Sequence, residues 1–317
     1  VEWRQEHTTT ATIRTGREYG AWPVLFESDG RVMVLSFANA LNTVSRWDPQ
    51  SGREVWRVDP WAGGGPCAVV QAKGVGSILA VASEFGVECL NAVTGSVLSS
   101  PAVEAGTVWD VAAGLLPDGR ALIVGAGHHH EVHRWDAVTG EPLGVPLTGH
   151  GTSVVSAAMV AGSRGGGAVI ATGDEAGVIL RWDAATGARI GERMTGPEGA
   201  VHQIVPVGLP GGHTLLACVD DDRLLWRWDA NTGEPVGKPV PLGAESEDPR
   251  LSVAVVNGSA HMLVSGTDDR MVWEWDLLTG TRLHAAVPGI SCDVLVRSNG
   301  QAVIATGSPE GDLTLYA

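Results

Sequence analysis

The chain has 317 residues, a formal net charge of −15, 43 Gly and 17 Pro. Nonspecific nucleic-acid binding needs a basic footprint, so this acidic balance excludes it. The length exceeds what one hydrophobic core usually serves, which favours stacked repeats that each bury a face against the next. Aromatic residues are few, yet Trp (12) far outnumbers Phe (3) and Tyr (2), as if a few positions reuse one large side chain. Cys67, Cys89, Cys218 and Cys292 form no CxxC pair and read as small core residues of a reducing compartment. No apolar run is long enough to span a bilayer. No signal peptide is visible either, although the chain begins at Val1 rather than Met, which gives that absence little weight.

Taken in chain order, the elements are short β-strands. Thr10-Ala-Thr-Ile-Arg-Thr-Gly16 resembles a later polar strand segment, Gly144-Val-Pro-Leu-Thr-Gly-His150. Residues 8–15 are therefore expected to form an outer strand, and Trp22–Glu27 the first inner strand. A recurring motif follows: Arg46-Trp47-Asp48-Pro-Gln-Ser-Gly52, Arg134-Trp135-Asp136-Ala-Val-Thr-Gly140, Arg181-Trp182-Asp183-Ala-Ala-Thr-Gly187, Arg227-Trp228-Asp229-Ala-Asn-Thr-Gly233 and Glu274-Trp275-Asp276-Leu-Leu-Thr-Gly280. A worn copy stands at Cys89-Leu90-Asn91-Ala-Val-Thr-Gly95, and a shortened one ends at Tyr316. The anchors Trp47, Leu90, Trp135, Trp182, Trp228, Trp275 and Tyr316 are 43, 45, 47, 46, 47 and 41 residues apart. This is the period of a four-stranded propeller blade. In the fourth copy the pattern predicts strands at Val154–Val160, Ala168–Thr172 and Val178–Trp182. The turn Asp183–Gly187 then leads to a polar fourth strand. Asp and Gly suit this turn because Asp bonds its own backbone and Gly takes positive φ.

These units resemble WD repeats of the bacterial multi-repeat type; the stretch from Arg134 to His150 carries both the WD and the GH dipeptides. The resemblance implies an all-β fold, a seven-bladed WD40 β-propeller forming one domain over 1–317, closed by the N-terminal strand pairing in the last blade. It makes Trp47, Trp135, Trp182, Trp228 and Trp275, with Asp48, Asp136, Asp183, Asp229 and Asp276, structural. In such repeats a GH histidine, an Asp in the turn between the second and third strands, a Ser/Thr and the Trp form a hydrogen-bond network. Aligned six residues before the Trp, only Asp222 and Asp269 fill the Asp slot; Leu41, Glu84, His129, Ala176 and Glu310 hold it elsewhere. The GH of that stretch, Gly149-His150, belongs to the copy with Ala176, so no copy is expected to be complete.

The same resemblance places function on the loops of one face. Asp220, Asp221, Asp222, Asp268 and Asp269, with Glu245, Glu247 and Asp248, form an acidic sector there, next to Asp174 and Glu175. It suits a basic protein or peptide, with plain solubility and turn chemistry as the alternative. Trp22, Trp109 and His202 share a rim position with Cys67, Val154 and Cys292 and are candidate partner contacts. His128, His129 and His130 are weak metal candidates beside His133 and Glu131. No GxSxG, HExxH, P-loop or CxxC motif supports catalysis, and no cofactor is expected. The expected function is a cytoplasmic, monomeric scaffold or sensor that binds protein or peptide, with no nucleic-acid or membrane partner. The alternative is an enzyme or small-ligand binder sited in the central channel, using His202, Asp110, Asp293 and the Trp rim.

Overall fold

The computed structural model describes residues 9–15, 20–38, 43–59, 66–102, 107–128, 130–162, 167–242, 250–265 and 269–317. Among these residues every regular element is a strand. The strands form seven small antiparallel sheets, the blades of a seven-bladed β-propeller. Within a blade the strands run a to d in chain order. The chain divides into two compact units, residues 60–240 and residues 1–59 with 241–317.

The first unit holds blades two to five. Blade two is Cys67–Ala72, Gly76–Ser83, Gly86–Asn91 and Val97–Ser99, and blade three is Val108–Leu115, Ala121–Gly127, Glu131–Asp136 and Leu147–Thr148. Blade four is Val154–Val160, Val169–Asp174 and Ile179–Asp183, and blade five is Ile204–Gly208, Thr214–Val219 and Leu224–Asp229 with a short outer Val240–Pro241. The expected fourth strand of blade four is reduced to two isolated bridges, Trp182 with Arg189 and Ile179 with Met194. Gly191, at φ +64°, turns the chain out of extension between them.

Strand alternation explains the packing. In Ala121–Gly127, Leu122, Val124 and Ala126 face blade four, where they meet Ile170, Leu180 and Trp182. Ala121 and Ile123 face the other way, into the blade-two interface with Trp135. In blade four the same rule sends Ala168 and Ile170 back toward blade three, and Val169 and Ala171 forward to Trp228 of blade five. One b strand thus serves two interfaces, so all six residues of Val169–Asp174 are buried. Each buried Leu or Ile contributes about 2–3 kcal/mol. Trp182 donates through Nε1 to Thr172 Oγ1 at 2.9 Å, and Trp47, in the other unit, donates to Ser36 Oγ at 2.8 Å.

The Asp–Gly turn recurs with one geometry. Gly187 N–H donates to Asp183 O at 2.8 Å, Thr186 N–H donates to Asp183 Oδ1 at 2.7 Å, and Gly187 sits at φ +78°. Asp136 and Asp229 repeat it, and Asn91 serves as the cap in the worn copy. These turns also carry a link between blades. The motif arginine reaches from one blade into the turn of the next. Arg134 Nη1 donates to Ala184 O at 3.0 Å and Ala185 O at 3.3 Å. Arg181 donates to Ala230 O at 3.1 Å, to Asn231 O, and to Thr232 O at 2.8 Å. Blade two has Cys89 instead of Arg, and there Ser99 Oγ donates to Ala137 O at 2.8 Å. Both guanidinium groups lose hydration, and Arg134 Nε and Arg181 Nε have no acceptor among the described residues. The net gain is therefore smaller than the number of bonds suggests. Arg181→Ala is expected to destabilise by about 1–3 kcal/mol in urea melts, with Arg181→Lys recovering only part because Lys lacks the fork.

The second unit holds blade one (Trp22–Ser28, Arg31–Ala38, Thr43–Trp47, Glu54–Val58), blade six (Arg250–Val256, Ser259–Ser265, Met271–Asp276, Thr281–Pro288) and blade seven. Blade seven consists of Ser291–Val296, Ala302–Gly307 and Leu313–Tyr316, completed by the N-terminal strand Thr9–Ile13. Ala11 pairs with Leu315 and Ile13 with Leu313, antiparallel. Thr15 Oγ1 donates to Gly311 O at 2.7 Å, just beyond the strand. Thr8, the first residue of the expected strand, lies outside the described residues. Ile13 is fully buried with Leu25, Val34, Trp47 and Leu313, so the N-terminal strand is part of the seam between blades seven and one.

Candidate interaction face

The b–c turns of blades four and five and the segment joining those blades come together on one side of the first unit. Val201 N–H donates to Asp174 O at 3.1 Å, and Ala200 N–H donates to Asp221 Oδ2 at 3.2 Å. His202 Nε2 meets Asp221 Oδ1 at 3.1 Å, with His202 44 % and Asp221 54 % exposed. Gly199 makes this closeness possible, because an added Cβ would lie 1.9 Å from Asp221 Oδ2. Glu175, Glu198 and Asp222 are exposed on the same turns and joining segment.

Asp220 differs from its neighbours. It is 2 % exposed, accepts from Trp226 Nε1 at 2.6 Å and from Leu224 N–H at 2.9 Å, and so stands inside the blade. Asp220, just past strand b, lies inward, whereas Asp221 and Asp222 are exposed in the turn that follows. Asp269, in the second unit, likewise accepts from Trp273 Nε1 at 2.9 Å but remains exposed. Glu245, Glu247, Asp248 and Asp268 lie outside the described residues.

The expectation that no copy carries the full hydrogen-bond network is corrected in blade four. His150 Nδ1 meets Asp174 Oδ2 at 2.9 Å, His150 Nε2 meets Thr172 Oγ1 at 2.7 Å, and Thr172 also receives Trp182 Nε1. Asp174 Oδ1 accepts from the N–H groups of Ala176 and Val178 at 3.0 and 2.9 Å. The working carboxylate is eight residues before the Trp, not six: the buried last residue of strand b supplies it, and Ala176 sits out in the turn. A consistent set of donors has Trp182 N–H donating to Thr172, Thr172 O–H to Nε2, and Nδ1–H to Asp174. That set requires a neutral imidazole.

The rim residues are mostly occupied. Trp109 is half-buried with its ring 5.1 Å from that of His128. His133 stacks on Trp135 at 5.5 Å, and His129 lies outside the described residues. Among the described residues no three His, Cys, Asp or Glu side chains gather where they could hold a metal ion. Arg250 lies over the ring of Trp22 at 5.4 Å. Asp110 Oδ2 accepts from Ala157 N–H of the next blade at 2.9 Å. Asp293 repeats this bond, accepting from Leu25 N–H of blade one at 2.7 Å and from Ser252 Oγ at 2.9 Å. Both carboxylates staple neighbouring inner strands, a role that competes with catalysis. Burial pushes the Cys89 thiol up to about 11 and Cys218 higher still, which leaves neither nucleophilic at neutral pH.

Two buried groups give opposite pH dependences. Burial pulls the His150 pKa below its ordinary value, partly offset by Asp174. The unfolded chain then takes up this proton at higher pH than the folded one. The stability involved is full above the ordinary histidine range and is lost as pH falls through it toward the lowered folded value. Burial pushes Asp293 up from 3.8 to about 6 against the donors Leu25, Ser252 and Val294. Here the folded chain keeps a proton that the unfolded chain has given up, so this contribution is present at acid pH and lost as pH rises through about 6. Asp293→Asn is expected to gain on the parent as pH rises across that window and to level off above it, measured by urea melts at stepped pH.

No protein-family model matches the chain, and a search of curated proteins returns no significant relative. Among the described residues no helix is long and apolar enough to cross a membrane. The architecture and the geometry above therefore carry the functional reading.

Proposed function

We propose that this is a WD-repeat propeller that works as a docking platform for a basic protein or peptide, engaged on the loop side of blades four and five. The WD-repeat reading is supported by the His150–Asp174–Thr172–Trp182 network and by the Trp-Asp turns. Propellers commonly serve as interaction scaffolds, and loops on a rigid frame are where such function sits.

The observation that carries the docking reading is the Asp221 carboxylate. It is exposed yet held by His202 and the Ala200 N–H over a glycine that leaves it room. An exposed His–Asp pair contributes little to stability, so exchanging His202 for a partner cation costs the fold little. A fixed carboxylate also loses little freedom on binding. The exposed Glu175, Glu198 and Asp222, on a chain of net charge −15, add field-assisted association.

The test is fluorescence anisotropy with a labelled Lys/Arg-rich peptide. The double change Asp221→Lys, Asp222→Lys is expected to weaken binding at least about tenfold, equivalent to about 1.4 kcal/mol, without shifting the melting temperature. Unchanged affinity would sink the proposal.

A further inference from the structure

At the turn of blade one the arginine link between blades lacks its donor. In blade one the turn Asp48-Pro49-Gln50-Ser51-Gly52 has the same geometry as those of blades four and five. Gly52 N–H donates to Asp48 O at 2.8 Å, Gln50 N–H to Asp48 Oδ1 at 2.8 Å, and Gly52 sits at φ +66°. The residue that should supply the guanidinium is the one preceding the blade-seven anchor Tyr316, and it is Leu315. Leucine cannot donate. The difference shows at the turn glycine. A Cβ added to Gly187 would lie 2.5 Å from Arg134 Nη2, and one added to Gly233 would lie 2.5 Å from Arg181 Nη2. A Cβ added to Gly52 meets nothing within 4 Å. A cavity of about 650 Å³ opens there, lined by Thr10, Thr12, Pro49, Gln50, Leu315 and Arg297 among others.

We propose that this cavity is a seat for an arginine side chain of a partner protein. The chain itself demonstrates the chemistry twice, since the equivalent carbonyls in blades four and five accept the fork of a buried arginine. In blade one those acceptors are the carbonyls of Pro49, Gln50 and Ser51. Leu315 and Val303 offer an apolar wall for the arginine stem. The Asp48 carboxyl, held below its usual range by the N–H groups of Gln50 and Ser51, adds negative charge to the turn. Arg297, also on the lining, is committed elsewhere. It donates to Gln301 Oε1 at 3.0 Å and to Gly30 O at 2.9 Å, and its Nε lies 3.8 Å from the Glu27 carboxylate. Several splayed carbonyls select a planar fork over the point charge of lysine. The seat lies in the other compact unit, so it stands or falls separately from the loop-side reading.

The test titrates the chain with the blocked tripeptide Gly-Arg-Gly and with its citrulline counterpart, following backbone amide shifts by NMR. The arginine peptide is expected to give saturable shifts at Gln50, Ser51, Gly52 and Leu315, with the neutral citrulline peptide at least about tenfold weaker. Leu315→Arg, which fills the seat from within as Arg181 fills the turn of blade five, is expected to abolish them. Equal response to the two peptides, shifts scattered away from the turn, or shifts that survive in a folded Leu315→Arg chain would each overturn the proposal. Because Leu315 is buried, the arginine–citrulline contrast is read on the unaltered chain and decides by itself.

Discussion

Deleting residues 1–18, or making the single change Ile13→Asp, is expected to destabilise the protein by about 3 kcal/mol or more. The N-terminal strand supplies the outer strand of blade seven, and Ile13 is fully buried against Leu25, Val34 and Trp47 of blade one. Removing the strand exposes the Leu313–Tyr316 edge and uncovers the seam between blades seven and one. An unpaired strand edge is also a template for association, so the truncated chain should aggregate at concentrations where the parent does not. Ile13→Asp places a carboxylate among the apolar side chains of Leu25, Val34, Trp47 and Leu313, while leaving the backbone ladder available. Both variants are measured by urea melts and light scattering. A truncated chain that melts with the parent would show that the N-terminal strand decorates the blade and does not hold it.

Asp174→Ala is expected to cost about 2–4 kcal/mol. Three donors lose their acceptor together: His150 Nδ1–H, Ala176 N–H and Val178 N–H. The imidazole is fully buried, so water does not replace the lost bond without opening the blade. Asp174→Asn keeps the shape and one acceptor oxygen but turns an amide toward donors, and should recover roughly half of the loss. In the alanine variant the His150 contribution to pH dependence should change as well, since the partner that pulls its pKa upward is gone. A loss in Asp174→Ala no greater than that of an exposed change such as Glu175→Ala would argue that the network is incidental.

The blades were legible in the sequence because the motif residues are physically demanding. A Trp that fills the gap between blades, an Asp that caps its own turn and a Gly at positive φ cannot drift far without loss. That is why Leu90 and Asn91 still mark a blade, and why the N-terminal strand could be matched to its place. The network in blade four was missed for a reason of geometry. Counting six residues back from Trp182 lands on Ala176 in the turn, whereas the bonding position is fixed by the buried end of strand b. The signal available was Thr172 and Asp174, two apart and hence on one face, in the copy that Gly149-His150 opens. The acidic sector also divides at its triplet: Asp220 is buried against Trp226 at the end of strand b, whereas Asp221 and Asp222 are exposed in the turn, where alternation no longer applies. The arginine link was hidden because its acceptors are backbone carbonyls in the next repeat, which sequence does not display. The breaks in the Arg pattern at Cys89, Glu274 and Leu315 were its trace.

The proposed function separates two sets of residues: stability is assigned to the buried network and the blade seams, and recognition to the exposed carboxylates of the loop side. The most direct test is the binding isotherm of the labelled basic peptide against three folded chains: the parent, Asp174→Ala, and Asp221→Lys with Asp222→Lys. The account predicts parental affinity for Asp174→Ala at temperatures where it is folded, and a loss of at least about tenfold for the charge-reversed chain. Parental affinity in the charge-reversed chain, or lost affinity in folded Asp174→Ala, would contradict it.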